Sequence, residues 1–255
     1  MSGMTSEETV YSMPNKLGQL LYSLVCYCFA VAALVYFIVF TSGVYPPLSV
    51  NDQSVEKSLT YALSVNLGLL LLFGIQHSIM ARKKFKQALL RIIAPSIERA
   101  TYCLASAIVL VMIGHFWVPM SGVLWEVSSP IFALIVTCIG AMGWLFLLIA
   151  TFQLDHFELF GVKQTYSLFF DKPAPKVRFK TPGFYKIVRH PIQTGVLIGV
   201  WSVPVSTVNH FVLALGMTVY IFVGLYFEEK DLMDEFGDTY RHYKEKVAKL
   251  IPFLG

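Results

Sequence analysis

Long runs of apolar residues alternate with short polar segments along this chain. Residues 17–41, 60–80, 100–118, 130–152 and 210–227 each form such a run. A helix that crosses a membrane needs about 20 apolar residues, which is close to the length of every run. The runs are continuous rather than alternating, which excludes a transmembrane β-barrel. The pattern predicts an all-α, polytopic helical integral membrane protein with about five to six transmembrane helices.

A further apolar run, residues 191–203, is shorter than the others. As a helix rising about 1.5 Å per residue it spans about 20 Å, against about 30 Å for the hydrocarbon core. It crosses the bilayer with the help of residues beyond Pro204, or it re-enters the membrane from one side. The sequence leaves both possibilities open.

Composition and charge agree with a membrane protein and orient it. The chain is 56% hydrophobic and 14% charged, whereas soluble proteins have about 25% charged residues. Of its 20 lysines and arginines, only Lys57 falls on the side that holds loops 42–59 and 119–129. Because positive residues stay on the cytoplasmic side, we expect both termini and the active site to face the cytoplasm, in a bacterial inner membrane.

Two segments outside the spans differ in pattern. Residues 162–186 show no clear periodicity, which predicts a long loop. In the tail after residue 228, apolar and aromatic residues recur every three or four positions, which predicts a cytoplasmic amphipathic helix that Gly237 bends or breaks. This helix lies on the membrane or closes over a ligand.

Polar side chains gather where the predicted spans meet the cytoplasmic side, and we expect no comparable gathering on the other side. Single polar residues at this depth are often anchors, but several groups together predict a pocket. The groups are Gln76-His77-Ser78, Glu98-Arg99 with Tyr102, Gln153 with Asp155-His156, Arg189-His190 and Glu228-Glu229. The four cysteines lie in apolar segments without a Cys-x-x-Cys spacing, so we expect no disulfide and no metal site.

Arg189 and His190 precede an abrupt helix start at Pro191. Proline suits the first helical position and keeps the residue before it out of the helix. The free N–H groups of the helix and the guanidinium together favour an anionic group. The alternative is that Arg189 only anchors the helix at the interface.

The C-terminal part contains two blocks of fixed spacing, Tyr185-x-x-x-Arg189-His190-Pro191-x-Gln193-x-Gly195 and Glu228-Glu229-x-x-Leu232-x-x-x-Phe236-Gly237-x-x-Tyr240-x-x-Tyr243, with Ile251-Pro252 behind them. These blocks resemble the isoprenylcysteine carboxyl methyltransferase superfamily. The prenylcysteine enzymes usually have Tyr at the position of Gln193, which argues against a prenylated acceptor.

Three blocks extend the resemblance to the N-terminal half: Gln76-His77-Ser78-Ile79-Met80-Ala81-Arg82, Glu98-Arg99-Ala100-Thr101-Tyr102 and Asp155-His156-Phe157-Glu158-Leu159-Phe160-Gly161. They are similar to the NnrU-like branch and, within it, to the membrane methanethiol S-methyltransferases. The branch also contains a haem-binding isomerase.

The resemblance implies one membrane-embedded methyltransferase domain over residues 1–255, with a four-span part (17–152) and a cofactor-binding part (182–252). It implies S-adenosylmethionine as methyl donor and a small thiol, methanethiol above all, as acceptor, with dimethyl sulfide as product. The residues implied to bind the cofactor are Tyr185, Arg189, His190, Pro191, Gln193, Gly195, Glu228, Glu229, Tyr240 and Tyr243.

A thiol acceptor reacts as its thiolate, so a base or a cation should assist. Asp155, His156 and His77 are the candidate bases and Arg189 the candidate electrostatic aid; the sequence does not distinguish among them. We expect the lipid bilayer as a further partner and no nucleic acid. Two alternatives stay open: a haem-binding protein or isomerase using His77 with His115, His156 or His190, and a prenylcysteine carboxyl methyltransferase.

Overall fold

The computed structural model describes residues 12–54, 57–175 and 178–252. In these ranges the chain forms α-helices and one two-stranded antiparallel sheet. The helices are α1 (Met13–Ser42), α2 (Leu59–Met80), α3 (Lys83–Leu89), α4 (Glu98–Phe116), α5 (Pro130–Leu154), α6 (His156–Leu159), α7 (Val162–Phe169), α8 (Pro191–Trp201), α9 (Val208–Phe236) and α10 (Asp238–Lys246). The strands are β1 (Val123–Glu126) and β2 (Val205–Thr207). Residues 1–11 and 253–255, which the sequence analysis placed in the single domain, lie outside the described residues.

The predicted helical membrane fold is confirmed. Within the described ranges, five helices are long and apolar enough to cross a bilayer: α1, α2, α4 with the turn before it, α5 and α9. Their outer faces expose large apolar side chains such as Val25, Leu71, Phe132 and Val219. In water such faces would be unfavourable, whereas hydrocarbon covers them without cost.

The short helix α8 belongs to a segment that joins the two ends of the bundle. His190, directly before its first residue, lies beside Glu229 in the last third of α9, and we call this end of the bundle the basic end. After Trp201 the chain enters β2, which pairs with β1 at the opposite end, where α4 and α5 are connected. The helix rises only about 17 Å, so residues 202–207 supply the rest of the passage.

Small residues let α8 pack directly on α5, and this pair makes the most extensive helix–helix contact in the described part of the chain. The two helices run antiparallel. A Cβ on Gly143 would lie 2.7 Å from the backbone nitrogen of Gly199, and a Cβ on Gly195 would lie 2.6 Å from the carbonyl oxygen of Gly143. Close backbone approach at small residues is how membrane helices associate without a hydrophobic driving force.

Two expectations from the sequence were wrong. The segment predicted as a loop contains α7, whose Thr165 hydroxyl lies against the Ser23 hydroxyl of α1. Polar side chains also gather at the opposite end: Asn66 exchanges hydrogen bonds of 2.9 and 2.8 Å with the backbone of Val118, and Asn209 accepts from the Met120 nitrogen at 2.8 Å. Side-chain amides there satisfy backbone groups that sheet and helix leave open.

Candidate functional site

A buried ion pair forms the centre of the basic end. Arg189 donates from Nε to Oε1 of Glu229 at 2.8 Å, and each side chain is 7% exposed. Nη1 of Arg189 donates to the carbonyl oxygen of Lys244 at 3.0 Å and to that of Val247. The guanidinium therefore joins the start of α8, the end of α9 and residues 238–252, which we call the C-terminal segment.

The second oxygen and the remaining lone pairs of Glu229 are also engaged. His190 donates from Nε2 to Oε1 at 3.2 Å. The amino groups of Lys244 and Lys249 lie 3.1 and 3.8 Å from Oε2. A buried charge is tolerated when it is paired and hydrogen-bonded, as this carboxylate is. Because its donors come from different parts of the chain, Glu229 holds these parts together.

The C-terminal segment docks beside the residues that precede α8. The backbone nitrogen of Arg189 donates to the carbonyl of Ala248 at 2.8 Å, and that of His190 donates to the carbonyl of Lys249 at 3.2 Å. Thr194 donates from its hydroxyl to the carbonyl of Leu250 at 2.8 Å. These contacts satisfy the backbone just before Pro191, which begins α8 as the sequence predicts.

Glu228, one position before Glu229, has a different environment. Its side chain is 48% exposed, and its carboxylate receives a long hydrogen bond of 3.5 Å from Gln193. It also lies within electrostatic range of the hydroxyls of Tyr102, Tyr185 and Tyr220. It is thus a half-exposed carboxylate with capacity for a cationic ligand.

Two buried tyrosine hydroxyls have no hydrogen-bond partner among the described residues, those of Tyr185 and Tyr240. Burial raises the pKa of both phenols, and the nearby carboxylates, Glu228 for Tyr185 and Glu229 for Tyr240, raise it further. Burial also raises the pKa of Tyr243 to about 12. All three stay protonated at neutral pH. An unpartnered buried hydroxyl is costly, so those of Tyr185 and Tyr240 point to a bound polar group.

An aromatic cluster around His77 adjoins these residues. The imidazole stacks on Phe73 with ring centroids 5.4 Å apart and lies 4.9 Å from the ring of Tyr102 and 5.9 Å from that of Tyr220. Its Nδ1 lies 3.0 Å from the hydroxyl oxygen of Ser106. Tyr102 and Tyr220 are also within electrostatic range of Glu228, and we call these two side chains the aromatic wall.

Asp155 and His156, the two other candidate bases, are engaged elsewhere. Burial would raise the pKa of Asp155, but hydrogen bonds from the Lys163 amine and the Glu158 backbone hold it below its usual range. Asp155 caps α6 in this way. His156 is buried with Nδ1 2.8 Å from the Thr151 hydroxyl and Nε2 3.0 Å from the Tyr27 hydroxyl, and burial lowers its pKa.

The structure thus brings together most of the residues that the sequence singled out, and it adds others. Gly195 differs, because its missing side chain makes room for α5. Sequence reasoning missed Ser106, Tyr220, Lys244 and Lys249. A signal existed for Tyr220, which precedes Glu228 by two helical turns and so shares its face of α9. For the two lysines the sequence offers no sign beyond their charge.

Comparisons with known proteins identify several relatives of this chain. A family model described as "NnrU protein" matches residues 66–253. The methanethiol S-methyltransferase of Pseudomonas deceptionensis is 44% identical over 245 residues, 95% of this chain and 92% of the relative. That of Mycobacterium tuberculosis is 38% identical, over 92% of this chain and 96% of the relative. Nurim from Sus scrofa is 30% identical over 69% of this chain and 70% of its own. No solved structure is significantly similar.

Proposed function

Because this chain belongs to the NnrU family, we propose that it transfers a methyl group from S-adenosylmethionine to methanethiol and forms dimethyl sulfide. The observation that carries the proposal is similarity along nearly the whole chain to proteins named for methyl transfer to methanethiol. The residues at the basic end support it, since they suit a donor that is both cationic and polar.

The donor carries a positive sulfonium, an ammonium, a carboxylate, ribose hydroxyls and an adenine ring; when bound, it supplies a methyl group on the sulfonium sulfur. Glu228 is half-exposed and suits one of the positive groups. The buried hydroxyls of Tyr185 and Tyr240 suit the hydroxyls or ring nitrogens. Aromatic rings attract cations and stack on adenine, which suits the wall formed by Tyr102 and Tyr220.

In this proposal Arg189 positions other residues, whereas the sequence suggests that it binds the donor itself. Three of its hydrogen bonds go to Glu229 and to the carbonyls of Lys244 and Val247, so it organises the site. The side chains of Lys244 and Lys249 are 44% and 31% exposed, and their amino groups suit the donor's carboxylate better.

We assign the basic end to the cytoplasm. The donor is charged and made in the cytosol, and positive residues in loops favour that side. Among the described residues, Lys57 is the exception at the opposite end. Inside the site, aromatic side chains would exclude water, which strengthens charge interactions and holds donor and acceptor in line.

Purified protein in detergent tests the proposal. With S-adenosylmethionine and methanethiol we expect dimethyl sulfide in the headspace, measured by gas chromatography. Hydrogen sulfide and a prenylcysteine serve as competing acceptors, and an absorption spectrum tests the haem alternative. A prenylcysteine methylated in place of methanethiol, or a Soret band without methyl transfer, would overturn the proposal.

Glu228→Gln tests the site through the affinity for the donor. Losing a hydrogen bond to a charged group costs about 1.5–3 kcal/mol, or roughly ten- to over a hundredfold in affinity. We therefore expect weaker donor binding by calorimetry, by at least about tenfold. Glu235→Gln is the matched control, since Glu235 lies on the same helix in an exposed pair with Lys83 at 3.0 Å. Equal affinity in the two variants would remove Glu228 from the site.

A further inference from the structure

The hydrogen bonds of the Ser106 hydroxyl favour one tautomer of His77. The hydroxyl donates to the carbonyl oxygen of Tyr102 at 3.0 Å, one turn earlier in α4. The same oxygen lies 3.0 Å from Nδ1 of His77 and 3.4 Å from the amide nitrogen of Gln76. A hydroxyl has one proton and two acceptor lone pairs. Because its own proton is directed at the carbonyl oxygen of Tyr102, the hydroxyl accepts from Gln76 and from an N–H at Nδ1.

This network leaves Nε2 of His77 as the unprotonated nitrogen of a neutral ring. Nε2 has no hydrogen-bond partner among the described residues, whereas both nitrogens of His156 have one. In histidine the bond made by one nitrogen fixes the role of the other. Of the three candidate bases, His77 therefore has a free lone pair, while His156 and Asp155 are occupied.

The free nitrogen lies in surroundings that suit a small apolar acceptor. Phe73, Tyr102 and Tyr220 pack around the imidazole with centroid distances of 4.9–5.9 Å. Tyr102 and Tyr220 are also within electrostatic range of Glu228, which suits a positive group of the proposed donor. A thiol between Glu228 and His77 would have a base on one side and the methyl group on the other.

We infer that His77 accepts the thiol proton through Nε2 and that Ser106 is a positioning residue that fixes the required tautomer. The inference rests on the proposed function. The thiol S–H proton moves to Nε2, and the sulfur forms a bond to the methyl carbon. The bond from that carbon to the sulfonium sulfur breaks, and its electron pair stays on that sulfur. The imidazolium then returns its proton to water.

The tautomer is tested without the donor. In protein labelled with ¹⁵N-histidine, His77, assigned by its loss in a His77→Asn variant, should show a protonated Nδ1 and an unprotonated Nε2. Ser106→Ala should give a mixture of tautomers, and Ser106→Thr should restore one. Ser64→Ala is the matched control, because the Ser64 hydroxyl makes the same bond to its own helix at 2.8 Å without a histidine. A proton on Nε2 in the unmodified protein would overturn the inference.

The role in proton transfer is tested with acceptors of equal shape and unequal acidity. Methaneselenol resembles methanethiol but is largely ionised at neutral pH, so it needs no base. In the His77→Asn variant the side-chain amide keeps an N–H donor at the position of Nδ1, and no atom replaces Nε2. General bases contribute about 10²–10⁴-fold, so His77→Asn should lose at least about a hundredfold in kcat with methanethiol. The loss with methaneselenol should be about tenfold or less.

Equal losses with both acceptors would show that His77 has a structural role only. If His77→Asn does not stay monodisperse, His77→Gln and Ser106→Ala give the same comparison, and Ser106→Ala should lower kcat more than it raises KM. Should the unmodified protein methylate neither acceptor, the proposed function falls, while the histidine spectra still decide the tautomer.

Discussion

At the scale of the residue, Arg189 shows how one side chain organises the site. Its planar group reaches Glu229 on α9 and two carbonyls of the C-terminal segment, at Lys244 and Val247. A lysine amine is a compact charge on a flexible stem, without the fixed fork that serves several acceptors in different directions. An interface anchor would tolerate the exchange, because lysine reaches the interface as readily.

Arg189→Lys should therefore insert normally and lose at least about tenfold in catalytic efficiency, as expected for a lost hydrogen bond to a charged group. Backbone amides of residues 238–252 should exchange hydrogen faster, because the segment loses its attachment. Steady-state kinetics and hydrogen exchange measure the two effects. Arg241→Lys is the control, since Arg241 forms an exposed pair with Asp238 at 3.5 Å. If Arg189→Lys matches this control in both measurements, the guanidinium has no special role.

At the scale of the element, the position of α8 depends on α5. Glycines on both helices bring the backbones into contact, with Gly143 facing Gly199 and Gly195 facing Leu147. The first turn of α8 carries Pro191 and Gln193, and the residues just before it carry the ion pair. A displacement of α8 along α5 would therefore move these groups relative to Glu228 and Glu229.

Gly143→Leu should displace α8, because the new Cβ would lie 2.7 Å from the backbone nitrogen of Gly199, which cannot rotate away. Overpacking of this kind costs about 1–3 kcal/mol. We expect a lower thermal midpoint in detergent, together with reduced methyl transfer. Gly68→Leu on α2 is the matched control, since a Cβ there meets nothing within 4 Å. The same midpoint in both variants would contradict the packing described for α5 and α8.

At the scale of the whole molecule, most of the charged side chains and the candidate site lie at one end of the bundle. Arg82 and Lys83 pair with Asp231 and Glu235, which joins the α2–α3 connection to the extension of α9. The opposite end is closed by the sheet and by buried amides such as Asn66 and Asn209. Because the two ends differ in charge and in structure, the whole bundle has one defined orientation across the membrane.

Single cysteines in a cysteine-free variant test the sidedness in intact cells. Position 83 should resist a membrane-impermeant maleimide, and position 124 in β1 should react, because Leu124 is 50% exposed at the opposite end. Labelling of position 83 from outside would invert the topology and place the site away from the cytosolic donor.

The sequence by itself determined the five long spans, their order and the distribution of charge. These properties are local: a run of about 20 apolar residues suffices for a crossing helix. The fixed blocks around Arg189 and Glu228 indicated the wider superfamily, and the blocks that begin at Gln76, Glu98 and Asp155 indicated the NnrU-like branch. A bend or break at Gly237 was also predicted from a local feature, a glycine inside a helical pattern. The structure confirms the break, since α9 ends at Phe236 and α10 begins at Asp238.

The tertiary structure decided which polar groups are already occupied. Arg189 was predicted to hold the donor, but its hydrogen bonds go to Glu229 and the C-terminal segment. His77 and His156 have the same chemistry in the sequence, yet they differ in the partners of their ring nitrogens. These partners come from helices distant along the chain, so no local pattern specifies them. Only the packing of the helices determines which nitrogen has a free lone pair.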